Sequence, residues 1–289
     1  MKNKPTVAIL GLGLIGGSLA LEFKRHRLAS QVIGISTSVE NREEALRQKA
    51  VDVAYKKLGD FLQTADIVFI CTPVKIIETI LLPLKKNVSE HTIITDVGST
   101  KEQIVDQAKK LKLKNFIGGH PIAGTEKSGM KAAQLGLFKN KKWILTSEEK
   151  SNPANFNTLK KLLTAMGAKV EVMKAKDHDA LFAAFSHVPN LISFALASSL
   201  NHKKLLSKID FAGSSLRDMT RLAASPVAMW RDIALSNSVQ ILRSLDLFEK
   251  KILELKCVLK KRDARGLERF LREGQKVREV ILPSPRGKI

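Results

Sequence analysis

Cysteine is almost absent from this sequence, aromatic residues are sparse, and acidic residues are heavily outnumbered. The two cysteines, Cys71 and Cys257, lie far apart. That excludes a disulfide-stapled scaffold or a thiolate metal cluster, and it fits a reducing cytoplasm. Aromatic residues make up 5% of the chain, too few for a platform on which nucleobases stack. No apolar run approaches the length of a membrane span. The stretch VAILGLGLIGGSLAL is broken by glycines and lacks a cleavage site, so it does not read as a signal peptide. Against 49 Lys and Arg stand only 28 Asp and Glu, a net charge of +21. Such an excess suits nucleic acid, an anionic membrane surface or an anionic small substrate. The basic residues are spread along the chain and crowd only towards the C-terminus, so neither nucleic acid nor membrane is expected as a partner.

What is present is length and a patterned core. The chain has 289 residues, 44% of them apolar, enough for two domains. TVAIL (6–10), QVIGI (31–35), DIVFI (66–70), TIITD (92–96), NFIGG (115–119), WILTS (143–147) and KVEVM (169–173) read as strands, with amphipathic helices between several of them. Short apolar strands alternating with helices indicate a mainly parallel sheet covered on both faces. After about Lys174 the strand signals stop and long helix-period segments begin. The expected architecture is therefore α/β. A Rossmann-type, mainly parallel sheet domain occupies residues 1–174. An all-helical domain follows over residues 175–289, some of its apolar faces buried against a second subunit. The end, PSPRGKI, reads as a frayed tail.

The segment GLGLIGG (11–17) follows the first strand and opens a helix at about Ile15. Gly11, Gly13 and Gly16 have the spacing of a dinucleotide loop. The first glycine makes a tight turn, the second admits a pyrophosphate, and the third packs helix on strand. Leu14 and Ile15 at the helix opening, with Thr72 and Pro73 of CTPV, complete the expected cofactor-facing set. Sites that prefer NAD usually carry an acidic residue at the end of the second strand. Here Ser36, Thr37 and Ser38 stand there, with Arg42 following. Hydroxyls and an arginine suit a 2′-phosphate, so NADP is favoured over NAD.

Ligands in open parallel sheets sit beyond the carboxyl ends of the strands. Three such ends carry small or rigid residues with a polar group: CTPV (71–74), DVGSTK (96–101) with Ser99, and GGHPIAG (118–124) with His120. A neutral imidazole takes a proton near pH 7, as hydride removal from an alcohol requires, so His120 is the candidate base. His26, His91 and His202 fall in polar settings that read as exposed, and His178 lies in the acidic start of a helix. His187 sits in an apolar helix that Pro189 must interrupt or bend; it is either a satisfied core histidine or a site residue. Arg217 and Arg221, one helical turn apart, form either a solvated or dimer-bridging face or a carboxylate clamp.

Together GLGLIGGSLA, CTPV, DVGSTK, GGHPIAGTEKSG, FSHVPN and RDMTRLAASPVAMWRDI resemble the prephenate dehydrogenase family, the prephenate and arogenate dehydrogenases of tyrosine biosynthesis, over nearly the whole chain. The glycine loop is common to many families; GGHPIAG with the TRLA…MWRDI stretch is far more specific. The resemblance implies hydride transfer to a nicotinamide from the ring carbon bearing a hydroxyl, then loss of carbon dioxide and aromatisation. It implies that His120 accepts the hydroxyl proton and that Ser99 orients histidine and hydroxyl. Arg221 would bind a substrate carboxylate. Glu126, Ser186, His187 and Trp230 would line the site. A dimerising helical domain is also implied.

One departure concerns SHVPN, where many members read S-H-x-P-H. Asn190 replaces the second histidine near the substrate side chain and cannot become cationic, which leaves prephenate and arogenate both open. The chain ends soon after the helical segments, leaving no room for a regulatory domain or a fused mutase, so tyrosine feedback is expected at the active site itself. A β-hydroxyacid dehydrogenase shares a glycine loop and a helical second domain, but GGHPIAG tells against it. A non-catalytic dinucleotide sensor or nucleic-acid-binding protein would leave the substrate edge blank.

Overall fold

The structure, a computed structural model, describes residues 4–124, 127–146 and 152–281. Strand β1 (Thr6–Leu10) leads into α1 (Leu14–Arg25), and β2 (Gln31–Ile35) into α2 (Val39–Arg47) and β3 (Val53–Tyr55). Then come β4 (Ile67–Ile70), α3 (Val74–Asn87), β5 (Ile93–Asp96), α4 (Glu102–Lys110) and β6 (Phe116–Ile117). These six strands form one sheet in the order β3-β2-β1-β4-β5-β6, with every pairing parallel. Strand order reverses between β1 and β4, which opens a crevice at their carboxyl ends. Alternate side chains divide between two layers. Val7, Ile9 and Phe69 pack with Phe23 on one face. Ala8, Leu10, Val68 and Ile70 pack with Ile77, Leu81 and Leu84 on the other. Burial on both faces explains why these strands are continuously apolar.

The segment read as one strand over 115–119 is two. Phe116–Ile117 closes the large sheet, and β7 (Gly119–Pro121) joins a second sheet with β8 (Lys142–Thr146) and β9 (Lys169–Met173). In it β7 runs antiparallel to β8, and β8 parallel to β9. The pair of glycines makes this possible. A Cβ on Gly118 would lie 2.5 Å from Thr146 Oγ1, and one on Gly119 2.5 Å from the Asp96 carbonyl oxygen. The chain slips between the sheets because nothing projects there, and His120 emerges at the junction. Helix α5 (Pro153–Ala165) connects β8 to β9, capped by Asn152, whose side chain accepts from the Ala154 N–H. Strand β3, only three residues long, does not stand out in the sequence.

After Met173 the described chain is helical. Helix α6 (Ala175–Phe182), one π-helical turn (Ala183–His187) and α7 (Val188–Ser199) run as a single helix of 25 residues. Pro189 does not interrupt it. It follows closely on the wider π turn, whose irregular hydrogen bonding accommodates a residue without an N–H inside the continuous helix. This helix is long and apolar enough, by length and composition, to cross a membrane, which corrects the expectation that no such run exists. Helices α8 (Lys203–Leu206), α9 (Ser214–Thr220), α10 (Val227–Ser236), α11 (Ser238–Lys260) and α12 (Ala264–Ile281) follow.

Pattern and compactness divide the chain at different places. Strands give way to helices at Lys174, whereas the compact units are Met1–Ser238 and Val239–Ile289. In the second unit, α12 follows most of α11 after a turn containing Arg262 at φ 51°. The Lys251 ammonium ties the two helices by bonding Glu273 at 3.1 Å. Leu247, Leu253, Leu271 and Val280 in this unit are more than half exposed.

Candidate active site

The glycine loop separates into residues the fold requires and one it does not. Gly11 has φ +96°, and a Cβ there would lie 2.5 Å from the Cys71 carbonyl oxygen. A Cβ on Gly16 would meet the Gly11 carbonyl oxygen at 1.9 Å. At Gly13 a Cβ would find nothing within 4 Å. Gly13 precedes α1, whose first turn has no side-chain cap, so N–H groups there await an external acceptor. Gly13, Leu14 and Ile15 border a cavity of about 360 Å³ with Thr72, Pro73 and Ser99. The Thr72 hydroxyl oxygen is buried without a partner among the described residues. An open cradle, free N–H groups and an orphan hydroxyl fit the pyrophosphate end of a dinucleotide.

At the end of β2, one Arg42 nitrogen, Nη1, donates to the carbonyls of Ser36 (2.6 Å), Thr37 (3.1 Å) and Ser38 (3.1 Å). Ser36, Thr37 and Arg42 thus cluster at the strand end, outside the cavity wall. No acidic residue stands at the strand end itself, but one lies close by. Ser38 Oγ donates to the Glu40 carboxylate at 2.6 Å, because Ser38 caps α2 and turns towards its first turn.

Asp96 ties the turn carrying Ser99 to the strand carrying His120. One carboxylate oxygen accepts from the Gly98 N–H at 2.8 Å, and the other from the Gly119 N–H at 3.0 Å. The Lys101 ammonium pairs with the same carboxylate, and both side chains are fully buried. Burial pushes the Asp96 carboxyl up and the Lys101 ammonium down, against their mutual attraction. Neither residue stood out in the sequence beyond its place in DVGSTK.

Behind His120 lies a second histidine. His120 Nδ1 is 2.8 Å from His178 Nε2, and His178 Nδ1 is 2.7 Å from Asp179 Oδ1. His178 lies at the acidic start of a helix, as expected, and both His178 and Asp179 are completely buried. Asp179 turns inward to accept from the N–H groups of Lys101 (2.7 Å) and Glu102 (2.9 Å), where α4 begins. Burial, and then the charges of His178, Lys101 and His187, hold His120 well below the usual histidine range. Burial pushes His178 down to about 2 and His187 to about 4.

A second cavity, of about 670 Å³, shares Ser99 and His120 with the first, and Ser186, His187 and Trp230 are among its other lining residues. His187 is buried, and its Nδ1 lies 3.1 Å from Asn237 Nδ2. It is thus a satisfied interior histidine that also faces a cavity. The Trp230 indole nitrogen is buried without a partner among the described residues. Asn190 donates to the Ser186 carbonyl at 3.0 Å and borders neither cavity. Arg217 and Arg221 do not share a helix face: α9 ends at Thr220, and Arg221 opens a 3₁₀ turn ahead of Pro226. Both arginines are exposed. Glu126 lies outside the described residues.

Comparisons with known proteins bear on this geometry. The family model for the nucleotide-binding domain of prephenate dehydrogenase matches residues 19–172, and that for its dimerization domain matches residues 174–273. Prephenate dehydrogenase of Bacillus subtilis is 35% identical over 291 residues, covering 99% of this chain and 78% of the relative. The crystal structure of prephenate dehydrogenase from A. aeolicus with hydroxyphenyl propionate and NAD+ matches with a TM-score of 0.90 and 31% identity, covering 96% of this chain and 99% of that one. Synechocystis arogenate dehydrogenase matches with a TM-score of 0.85 and 32% identity, over 96% and 100% of the two chains. This chain is an oxidoreductase whose cofactor is a nicotinamide dinucleotide, and it belongs to the prephenate dehydrogenase family.

Proposed function

We propose that this chain converts prephenate to 4-hydroxyphenylpyruvate by oxidative decarboxylation, a step of tyrosine biosynthesis in the cytoplasm. The observation that carries the reading is the meeting of two cavities at Ser99 and His120, one fronted by the glycine loop and one by Ser186, His187 and Trp230. The bound dinucleotide supplies the hydride acceptor. Ser99 bonds the ring hydroxyl and orients it. His120 takes the hydroxyl proton as hydride leaves the same carbon, so a carbonyl forms there. The ring carboxylate then departs as carbon dioxide, its bonding electrons flow to that oxygen, and the ring becomes aromatic. Arg221 and Glu126 are assigned to the substrate by family resemblance alone.

Arogenate is the second reading. Its support is the likeness to Synechocystis arogenate dehydrogenase and the absence of a second histidine at Asn190, which is bonded to the Ser186 carbonyl and borders neither cavity. NADP is favoured over NAD because Ser36, Thr37 and Arg42 gather at the end of β2; Glu40 close by counts against it. The functional division is placed at residue 174, with residues 175–289 serving substrate and homodimerisation. The exposed leucines of α11 and α12 and the match to a dimerization domain support the dimer. The test is a two-by-two assay of prephenate or arogenate with NAD or NADP, following reduced nicotinamide. Turnover of prephenate is expected. Turnover of arogenate alone selects the second reading, and no turnover in any combination overturns both.

A further inference from the structure

The hydrogen-bond chain behind His120 has one internally consistent arrangement of protons. It begins at Asp179, whose carboxylate already accepts two backbone N–H groups from the first turn of α4. A carboxylate only accepts, so the 2.7 Å contact makes His178 Nδ1 the donor. A neutral imidazole has one donor and one acceptor, so His178 Nε2 must accept. His120 Nδ1, 2.8 Å away, must then donate. The lone pair of His120 is left on Nε2, which has no hydrogen-bond partner among the described residues, while His120 borders both cavities.

We infer that His178 and Asp179 are positioning residues that lock His120 as its Nδ1–H tautomer and present the unprotonated Nε2 to the substrate, an inference that rests on His120 being the base. The same chain serves the step itself. When His120 gains a proton, its Nδ1–H remains bonded to His178, whose far nitrogen remains bonded to a carboxylate. The new cation is stabilised through one neutral ring, and neither His178 nor Asp179 changes protonation.

The surroundings keep the device in this state. The Lys101 ammonium from the α4 side and His187 from the π turn oppose a second positive charge near His120 and His178. The Asp96 carboxylate is already paired with Lys101. The Phe182 ring packs edge-on to His120 with centroids 4.9 Å apart, which fixes the ring plane. Asn237 Nδ2 donates to the Asp179 carbonyl at 2.8 Å and holds the relay's far end.

Two measurements test the relay. In the full chain with ¹⁵N-labelled histidine, imidazole shifts at neutral pH are expected to show both His120 and His178 as Nδ1–H tautomers. An Nε2–H form at either position overturns the inference. This reading needs no substrate, so it stands apart from any failure of the proposed reaction. The kinetic test compares His178→Leu, which removes the acceptor, with His178→Gln, which puts a carbonyl oxygen near the position of Nε2. His178→Leu is expected to lower kcat about 100-fold, with KM and cofactor affinity unchanged, and His178→Gln to recover about 10-fold of that. The acid limb of kcat/KM is expected to move in the leucine variant. Equal kcat in the two variants with an unmoved pH profile overturns the role.

Discussion

Replacing Lys101 by methionine should destabilise the fold far more than loss of an ordinary ion pair, and by an amount that depends on pH. Lys101 and Asp96 are fully buried. Removing one partner of a buried pair costs about 3–5 kcal/mol, because the remaining charge is stranded. Asp96 would keep the N–H groups of Gly98 and Gly119, so the lower end of that range, about 3 kcal/mol, applies. At roughly 2–4 °C per kcal/mol for a unit of this size, the melting temperature should fall by about 10 °C. Burial already pushes the Asp96 carboxyl up, and loss of the cation pushes it further. A carboxyl with a raised folded-state pKa favours the fold below its unfolded pKa and loses that benefit as pH rises through the folded value. The deficit relative to wild type should therefore be smaller at pH 5 than at pH 8. Urea unfolding of the cofactor-free protein at both pH values measures this. A loss below about 1 kcal/mol, the scale of a surface pair, or a deficit that does not change with pH would refute the reasoning.

Gly13→Ala should leave the stability of the cofactor-free protein within about 1 kcal/mol of wild type yet weaken dinucleotide binding at least ~10-fold, measured by calorimetric titration. Gly11→Ala should instead lower the melting temperature, because its φ of +96° and the Cys71 carbonyl 2.5 Å away both resist a Cβ. Because burial and neighbouring charges hold His120 well below 6.5, the active neutral form should persist in acid; kcat/KM should stay flat through pH 6.5 and fall only well below it. An inflection at 6.5 or above contradicts that assignment. Arg42→Ala should lower kcat/KM for NADP about 10-fold more than for NAD; equal losses remove Arg42 from cofactor choice.

The parallel sheet was legible because burial on both faces forces continuous apolar strands, and because the glycine spacing falls between a strand and a helix. GGHP was legible as a place of close approach, but not as a crossing between two sheets. That depends on Thr146 and the Asp96 carbonyl, which are distant in sequence. The relay was not legible because Asp177 and Asp179 mark an acidic helix start without showing which of its residues turn inward. The helix period held the missing signal: Ala175, His178, Asp179, Phe182 and Ala183 follow the spacing of a single buried face, and a polar pair on such a stripe must have partners. The two arginines were expected one helical turn apart on one face, but α9 ends at Thr220 and a 3₁₀ turn begins at Arg221. Asp96 and Lys101 gave no signal, since a charge-compensated buried pair is invisible until the fold brings both side chains inside.

The central claim, that His120 is the base at the junction of the two cavities, is tested most directly by the hydride-transfer rate of His120→Asn in a single turnover, with cofactor affinity measured alongside. The account predicts a rate lower by about 100-fold or more, as for loss of a general base, with cofactor affinity unchanged. A near-normal rate would contradict it.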